Sequence, residues 1–518
     1  MKRQHHLTLP AIALAAGLVT PLAFSPFNIW PVQIIALAIL AGVIRHNETP
    51  RAALVAGWAY GFGHLVTGLY WLTVSMHTYG GMNIILAAIA VALLALFLGS
   101  LAGIAGMLTR FFANRWQAGA GITCLLIFPA FWTLAEWTRG WIVTGLPWIA
   151  TGYAHTDNPL AGYAPIAGVY GTGFVAAIAA GAIAFFFQIE RQRWKTSLAT
   201  VAATLILIFG GGAILRHIDW THPHGEPIRV RLLQGNVPQE FKFTPWQIHS
   251  ALAMYTGMIT ASPADLTVTP ETAIPVYPHQ LPDGYLGRLA AYTAESGTRL
   301  ALGIPLADSP TEYTNSLVLM TPESAGTPGY FRYRYNKHHL VPFGEFIPTG
   351  FRWFVNLMRI PLGDFTRGEA LQKPFRVKDQ WILPDICYED IFGEEIAAQI
   401  RNEYKAGNPT PTILLNISNI AWFGDTIALP QHLQISRMRS LETGRPMLRA
   451  TNTGATAVIG PKGDIIARLP AYTRGELDLA VQGMRGPTPY IRFGNILILI
   501  VTILTLAAAN IIAARKRR

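Results

Sequence analysis

About eight stretches of the chain are apolar over most of the length of a membrane-crossing helix, and seven of them precede residue 216. They cover 7–24, 31–44, 52–72, 84–108, 118–137, 161–187 and 198–215, and the eighth covers 495–514. About 20 apolar residues are needed to cross ~30 Å of hydrocarbon, so each reads as a span. The second is short enough to be one limb of a tilted or half-buried hairpin. Between the seventh and eighth runs the period changes. Short β-rich runs over 228–233, 266–269, 299–304, 316–320, 331–335, 381–386, 412–417 and 455–459 alternate with amphipathic stretches over 246–259, 284–296, 393–404 and 430–444. That alternation predicts a layered α/β domain. The chain thus divides into a seven-helix transmembrane domain (1–215), an α/β domain (216–488) and a C-terminal transmembrane helix with a basic tail (489–518).

Composition agrees with this division: 51% of the 518 residues are hydrophobic and 13% charged, with a mean hydropathy of +0.32. These values weigh against an ordinary soluble enzyme. Lysine and arginine near span ends resist export. With the N-terminus inside, Lys2, Arg3, Arg45, Arg51, Arg110, Arg115, Arg191, Arg193, Lys195 and the residues from Arg515 to Arg518 share the cytoplasmic side. Among the short outer connections only the one after the fifth span carries a cation, Arg139. Seven spans then place the α/β domain outside, which in a bacterium is the periplasmic face of the inner membrane.

The net charge of +11 belongs to the cytosolic loops, because residues 216–488 hold about 25 Lys plus Arg against about 25 Asp plus Glu. A nucleic-acid-binding face needs its basic excess clustered on one folded surface, so no nucleic-acid partner is expected. The basic Met1 to His6 followed by an apolar run resembles a signal peptide. However, Phe24-Ser25-Pro26 lacks a small-x-small cleavage site and further spans follow, so a retained helix is expected.

The two cysteines cannot pair, since Cys124 lies in an apolar span and Cys387 in the exported domain. Cys124 reads as a packing residue. Cys387 follows an apolar run, Trp-Ile-Leu-Pro-Asp-Ile, and precedes a polar turn and a helix whose N-terminus would favour thiolate. Glu271 and Lys337 also sit where elements end, the positions at which α/β sheets gather catalytic groups. Taken singly, each is an ordinary solvated or structural residue. Together they supply a nucleophile, a base and a cation for an oxyanion, the requirements of acyl transfer.

The segments Lys337-His338-His339-Leu340-Val341-Pro342-Phe343-Gly344-Glu345 and Ile386-Cys387-Tyr388-Glu389 resemble those of the apolipoprotein N-acyltransferases, a membrane-embedded branch of the nitrilase superfamily. So do Gln234 to Gln239, Trp422-Phe423-Gly424, Gln431-His432, Arg439 to Arg445 and Arg449 to Gly454, together with Ser25-Pro26-Phe27 and Glu136 to Trp141 among the spans. The resemblance implies a nitrilase-like αββα sandwich, with Glu271 as general base, Lys337 as oxyanion stabiliser and Cys387 as nucleophile. Glu345 would orient Lys337 or shuttle protons, and Phe243, Tyr388, Glu389 and Trp422 would contact substrate. The implied reaction is ping-pong: a phospholipid donates an acyl chain to Cys387, and the amine of a diacylglyceryl-cysteine lipoprotein accepts it. No metal or cofactor is implied.

Three positions depart from the family pattern: Phe243 and Thr269 stand where tryptophan is usual, and Ile420 where aspartate is usual. Phe243 keeps an aromatic surface but lacks an indole N–H. The aromatic stretch 343–365 reads either as an interfacial lid, with Phe346, Phe351, Trp353, Phe354, Leu357 and Met358 facing lipid, or as a packed helix. Glu136 and Arg139, three apart on one helical face, read as an ion pair. Two rival functions remain. A membrane-tethered amidase would use the same three residues and send water to the thioester. A transporter with an exported accessory domain would need paired polar residues or broken helices deep in its spans, and few such charges occur.

Overall fold

The computed structural model describes residues 2–187, 194–350, 352 and 364–517. Its contacts fall into two units. One comprises Met1–Thr73, Asn83–Asp219 and Arg492–Arg518; the other comprises Val74–Met82 and Trp220–Ile491.

The first unit is helical. Five of its described helices have the length and apolarity of a span: Ile84–Arg115, Ala120–Arg139, Pro159–Phe186, Ser197–Arg216 and Ile496–Arg515. A sixth candidate is the pair Pro50–Gly68 and Leu72–Tyr79, bent by 58°. The first two expected spans form shorter apolar helices, Thr8–Ala23 and Pro31–His46. Sixteen residues rise only about 24 Å, short of the hydrocarbon thickness unless flanking chain contributes. Length alone therefore yields five or six spans where the hydropathy pattern gave eight.

Apolar surfaces gain little by leaving lipid for one another, so helices there associate through close packing, and small residues permit it. A Cβ on Gly61 would lie 2.7 Å from the Gly99 carbonyl oxygen, and one on Gly99 would lie 2.7 Å from the Phe62 nitrogen. The helices Pro50–Gly68 and Ile84–Arg115 thus meet backbone to backbone. Buried Glu136 accepts from the Thr151 amide (2.8 Å) and hydroxyl (2.9 Å) and stands 3.7 Å from Arg139. Arg139 donates to the carbonyls of Leu146 and Trp148, so the expected pair fastens the loop after its helix.

The second unit contains two six-stranded sheets. The strands of these two sheets are β1 (Ile228–Gln234), β2 (Leu266–Val268), β3 (Arg299–Ala307), β4 (Tyr313–Met320), β5 (Tyr333–Asn336), β6 (Phe375–Val377), β7 (Gln380–Ile386), β8 (Ile413–Ser418), β9 (Met447–Thr451), β10 (Ala457–Ile459), β11 (Ile465–Arg468) and β12 (Gly475–Val481). One sheet runs β12-β1-β2-β3-β4-β5 and the other β11-β10-β9-β8-β7-β6. Alternation along the strands assigns the layers. Val230, Leu232, Val268 and Leu317 of the first sheet pack with Ile382, Ile386, Leu415 and Leu448 of the second. The opposite face of the first sheet, with Leu300, Leu302 and Val318, is covered by Pro245–Thr260 and Tyr285–Ser296. Leu383, Leu414 and Met447 of the second pack under Gly393–Ala406 and Ala428–Thr443. The result is an α-β-β-α sandwich. β1, β2 and β3 are parallel, as are β7, β8 and β9.

Gly61→Val should force backbone apart where Gly61 and Gly99 meet, lowering stability by at least ~2 kcal/mol. Gly119→Ala, where an added Cβ meets nothing within 4 Å, should leave it unchanged. Thermal melts of the two detergent-solubilised variants check this.

Candidate active site

The chain after β2 turns at Pro270 and presents Glu271; β5 ends one residue before Lys337, and β7 ends at Ile386, directly before Cys387. Lys337 is almost fully buried, and its Nζ donates to Glu345 Oε1 at 2.8 Å and to Glu271 Oε1 at 3.3 Å. The structure therefore gathers Glu271, Lys337 and Glu345 around one ammonium. Burial depresses that ammonium, but Glu271, Glu345 and the Cys387 sulfur outweigh it and raise it well above an ordinary lysine. Asn315, in β4, donates from Nδ2 to Glu271 Oε1 (2.7 Å) and to Glu345 Oε1 (2.9 Å). The Asn419 amide reaches Glu271 Oε2 at 2.8 Å, and the Val341 amide reaches Glu345 Oε2 at 2.8 Å.

Cys387 has φ +56°, a left-handed conformation that costs a residue with a Cβ and must be held by its surroundings. Such an elbow lifts a nucleophile off the end of its strand. Two donors grip its carbonyl: Asn416 Nδ2 at 3.3 Å and His432 Nε2 at 3.2 Å. Arg449 can only donate, and it contacts His432 Nδ1 at 2.8 Å. Nδ1 must then accept, so Nε2 carries the proton it gives to Cys387. The buried imidazole is accordingly held far below the usual histidine range by desolvation and by Arg449, and it stays neutral. Arg449 in turn pairs with Asp390 at 3.0 Å, and Ser436 bonds both.

The thiol is pushed up to about 12 by burial and by Glu271, with Lys337 and the Ser418 hydroxyl pulling the other way. A thiolate preformed at a helix N-terminus is thus not what the fold builds. Cys387–Ile391 is a single short 3-10 turn, and the full helix starts only at Gly393. The thiol stays protonated at neutral pH until a base takes its proton.

The remaining expected residues divide. Glu389 is 3% exposed, and its oxygens accept from the amides of Ile386 (2.7 Å), His338 (2.7 Å) and His339 (3.1 Å) and from the Tyr335 hydroxyl (3.0 Å). These four donors make it a tie between the Cys387 elbow and the chain after Lys337, where the sequence suggested a substrate contact. Tyr388 is half-buried, edge-on to His339 and Phe392. Phe243 is 49% exposed, and half-buried Trp422 meets Tyr79 edge-on at 5.7 Å. Thr269 accepts the Gly303 amide through its hydroxyl, and Ile420 is buried. Of the aromatic stretch, Phe365 is fixed by its amide to the Glu345 carbonyl, whereas Phe351, Trp353, Phe354, Leu357 and Met358 lie outside the described residues.

Pattern reading missed Asn315, which looks like any polar residue in a half-buried strand. It also missed Lys242, whose Nζ approaches the Glu271 carbonyl at 3.4 Å; a lysine between two phenylalanines, Phe241 and Phe243, was the available signal. No group of three or more His, Cys, Asp or Glu side chains arranged to hold a metal ion occurs among the described residues.

Residues 16–182 match the apolipoprotein N-acyltransferase N-terminal domain, and residues 229–490 match the carbon-nitrogen hydrolase family. An apolipoprotein N-acyltransferase of Ralstonia nicotianae is 48% identical over 98% of this chain and 93% of its own length. One from Bordetella bronchiseptica is 42% identical over 98% and 97%. Among solved structures, an amidase from Nesterenkonia sp. covers 52% of this chain and 93% of its own, with 18% identity and a TM-score of 0.38. With both halves matched in order and relatives of this identity aligned nearly end to end, the chain belongs to the apolipoprotein N-acyltransferase family.

Proposed function

We propose that this protein transfers a fatty acyl chain from a phospholipid, through a thioester on Cys387, to the α-amino group of a diacylglyceryl-cysteine at a lipoprotein N-terminus. The observation that carries the reading is the buried Lys337 ammonium shared by Glu271 and Glu345 beside the Cys387 elbow, in a chain of this family.

Glu271 is the base. As the thiol sulfur attacks the ester carbonyl, its proton passes to a Glu271 oxygen, and the negative charge that develops on the carbonyl oxygen is met by Lys337. Collapse breaks the acyl C–O bond, and Glu271 returns the proton to the departing lysophospholipid alkoxide. In the second half the lipoprotein amine attacks the thioester carbon, its proton goes to Glu271, and sulfur leaves to recover its proton. Glu345 keeps Lys337 charged and aimed throughout. The thiol pushed up to about 12 fits this coupling, because free thiolate is scarce and proton removal accompanies attack.

A helical domain of this size suits a donor and acceptor that are both lipids, since neither acyl chain need leave the bilayer. Counting Thr8–Ala23 and Pro31–His46 as spans with the bent pair and the five long helices gives the eight-span topology, with the α/β domain on the periplasmic face of the inner membrane. The hydrolytic alternative differs only in the second nucleophile.

Purified protein incubated with phospholipid should gain one acyl mass, released by hydroxylamine and absent in Cys387→Ala. Adding a diacylated lipopeptide should discharge it onto the peptide amine. Discharge solely to free fatty acid would establish the hydrolase, and an adduct persisting in Cys387→Ala would remove the nucleophile assignment.

Glu271→Gln should slow phospholipid acylation by about 100-fold or more, the scale of a lost general base. The same change removes a negative charge that raises the thiol, so more thiolate exists at pH 8 and iodoacetamide should alkylate Cys387 faster than in wild type. Mass spectrometry reads both rates; parallel loss of both would contradict the role of Glu271 as base.

Alkaline phosphatase fused after Gly297 should be active, while fusions after Arg115 or at the C-terminus should be inactive. An active fusion after Arg115 would refute the proposed orientation.

A further inference from the structure

Lys242 lies on the short turn between β1 and the helix Pro245–Thr260 and is 4% exposed. Its Nζ carries three donors, yet it makes one hydrogen bond to the described residues, the 3.4 Å contact to the Glu271 carbonyl. No carboxylate stands within 4 Å of it among the described residues, in contrast to Lys337, which has two. Leaving an ammonium buried with so little compensation is costly unless something else completes its shell. Burial draws it down to about 8, with Glu271 and the Cys387 sulfur drawing it back up. Its charge is therefore felt at the nucleophile.

The two ammoniums differ in what they already hold: Lys337 is shared by two carboxylates and stands ready for the carbonyl oxygen, whereas Lys242 meets only the Glu271 carbonyl. Two N–H donors of Lys242 are therefore left for an anion elsewhere on the same substrate. The turn bearing Lys242 also carries three exposed aromatic residues: Phe241 (45% exposed), Phe243 (49%) and Trp246 (61%). Phe241 and Trp246 pack against one another at 5.8 Å. A buried cation flanked by exposed aromatic surface fits an amphiphile that has an anion a few bonds from its apolar chains.

We propose that Lys242 recognises the phosphodiester of the glycerophospholipid donor, so that it selects phospholipids over neutral acyl esters. The proposal rests on the acyl-transfer reading above and adds a specificity residue to it.

The test compares formation of the Cys387 acyl adduct from phosphatidylethanolamine and from p-nitrophenyl palmitate, a neutral ester, in wild type, Lys242→Gln and Lys242→Arg. In Lys242→Gln the ratio of the two acylation rates, phospholipid over neutral ester, should fall about tenfold or more, the scale of one charge-assisted hydrogen bond. Lys242→Arg should restore most of the ratio. Equal loss on both donors with an intact thermal melt would overturn the proposal and place Lys242 with the oxyanion instead. Equal loss with a lowered melt in Lys242→Gln, unrelieved in Lys242→Arg, would overturn it in favour of a structural lysine. If wild type formed no adduct from either donor, the acyl-transfer reading itself would fail, an outcome separate from the others.

Discussion

One buried ammonium, that of Lys337, sits between two carboxylates, and the geometry of the site depends on it. Removing an ion from water is expensive, and a single partner seldom repays the cost. Here two carboxylates share one cation, Asn315 bridges both, and the amides of Asn419 and Val341 take the outer oxygens. These six groups come from five segments: the turn after β2, strand β4, the end of β5, the chain after Lys337, which supplies both Val341 and Glu345, and the end of β8. The network therefore aligns five pieces of backbone around one ammonium. Without the ammonium, Glu271 and Glu345 would face each other as like charges in a poorly solvated site.

Cys387 is coupled to this network by a third carboxylate. Glu389 binds the Ile386 amide on one side of Cys387 and the His338 and His339 amides just past Lys337. One side chain, whose four lone pairs are all taken once the Tyr335 hydroxyl is counted, thus ties the backbone at Cys387 to the backbone past Lys337. Behind the elbow, the Cys387 carbonyl is held by His432, His432 by Arg449, and Arg449 by Asp390. This chain of charge-assisted bonds offsets the strain of φ +56° at Cys387. Under the proposed acyl transfer the sulfur is thereby already aimed, and activation needs only a proton acceptor.

Much of this was legible because polar groups at strand ends interrupt apolar runs. Glu271, Lys337 and Cys387 each follow a run that reads as β, and each ends one. Asn315 left no such mark, since its strand alternates normally and only the tertiary fold sets it between two carboxylates. Strand β9 was hidden by Arg449, which pattern reading treats as surface although it is fully buried against Asp390. Strand β12 was hidden by Glu476 and Asp478, which answer Arg231 and Arg229 on the neighbouring β1. In both cases a charge satisfied by a distant partner looks, in sequence, like a charge satisfied by water. The bend after Gly68 was invisible for a related reason: hydropathy stays high through 52–72, and only the helix geometry shows the break.

That bend matters for the α/β unit. The chain leaves the helical unit after Thr73 and returns at Asn83, and the residues between, Val74–Met82, pack with the α/β domain. Within them Ser75–Tyr79 is wound as a π-helix turn, and Tyr79 meets Trp422 edge-on. A Cβ on Gly424, two residues past Trp422, would come within 3.1 Å of the Val74 side chain, and its φ of +60° keeps that corner for glycine. The 3-10 turn Ile420–Phe423 carries Trp422, and its first neighbour upstream is Asn419, whose amide holds Glu271. A segment whose two ends continue into membrane-type helices therefore packs three residues from the amide that holds Glu271. The ring contact at Trp422 and the hydrogen bond from the Asn419 amide thus join the Val74–Met82 segment to Glu271 through one short 3-10 turn.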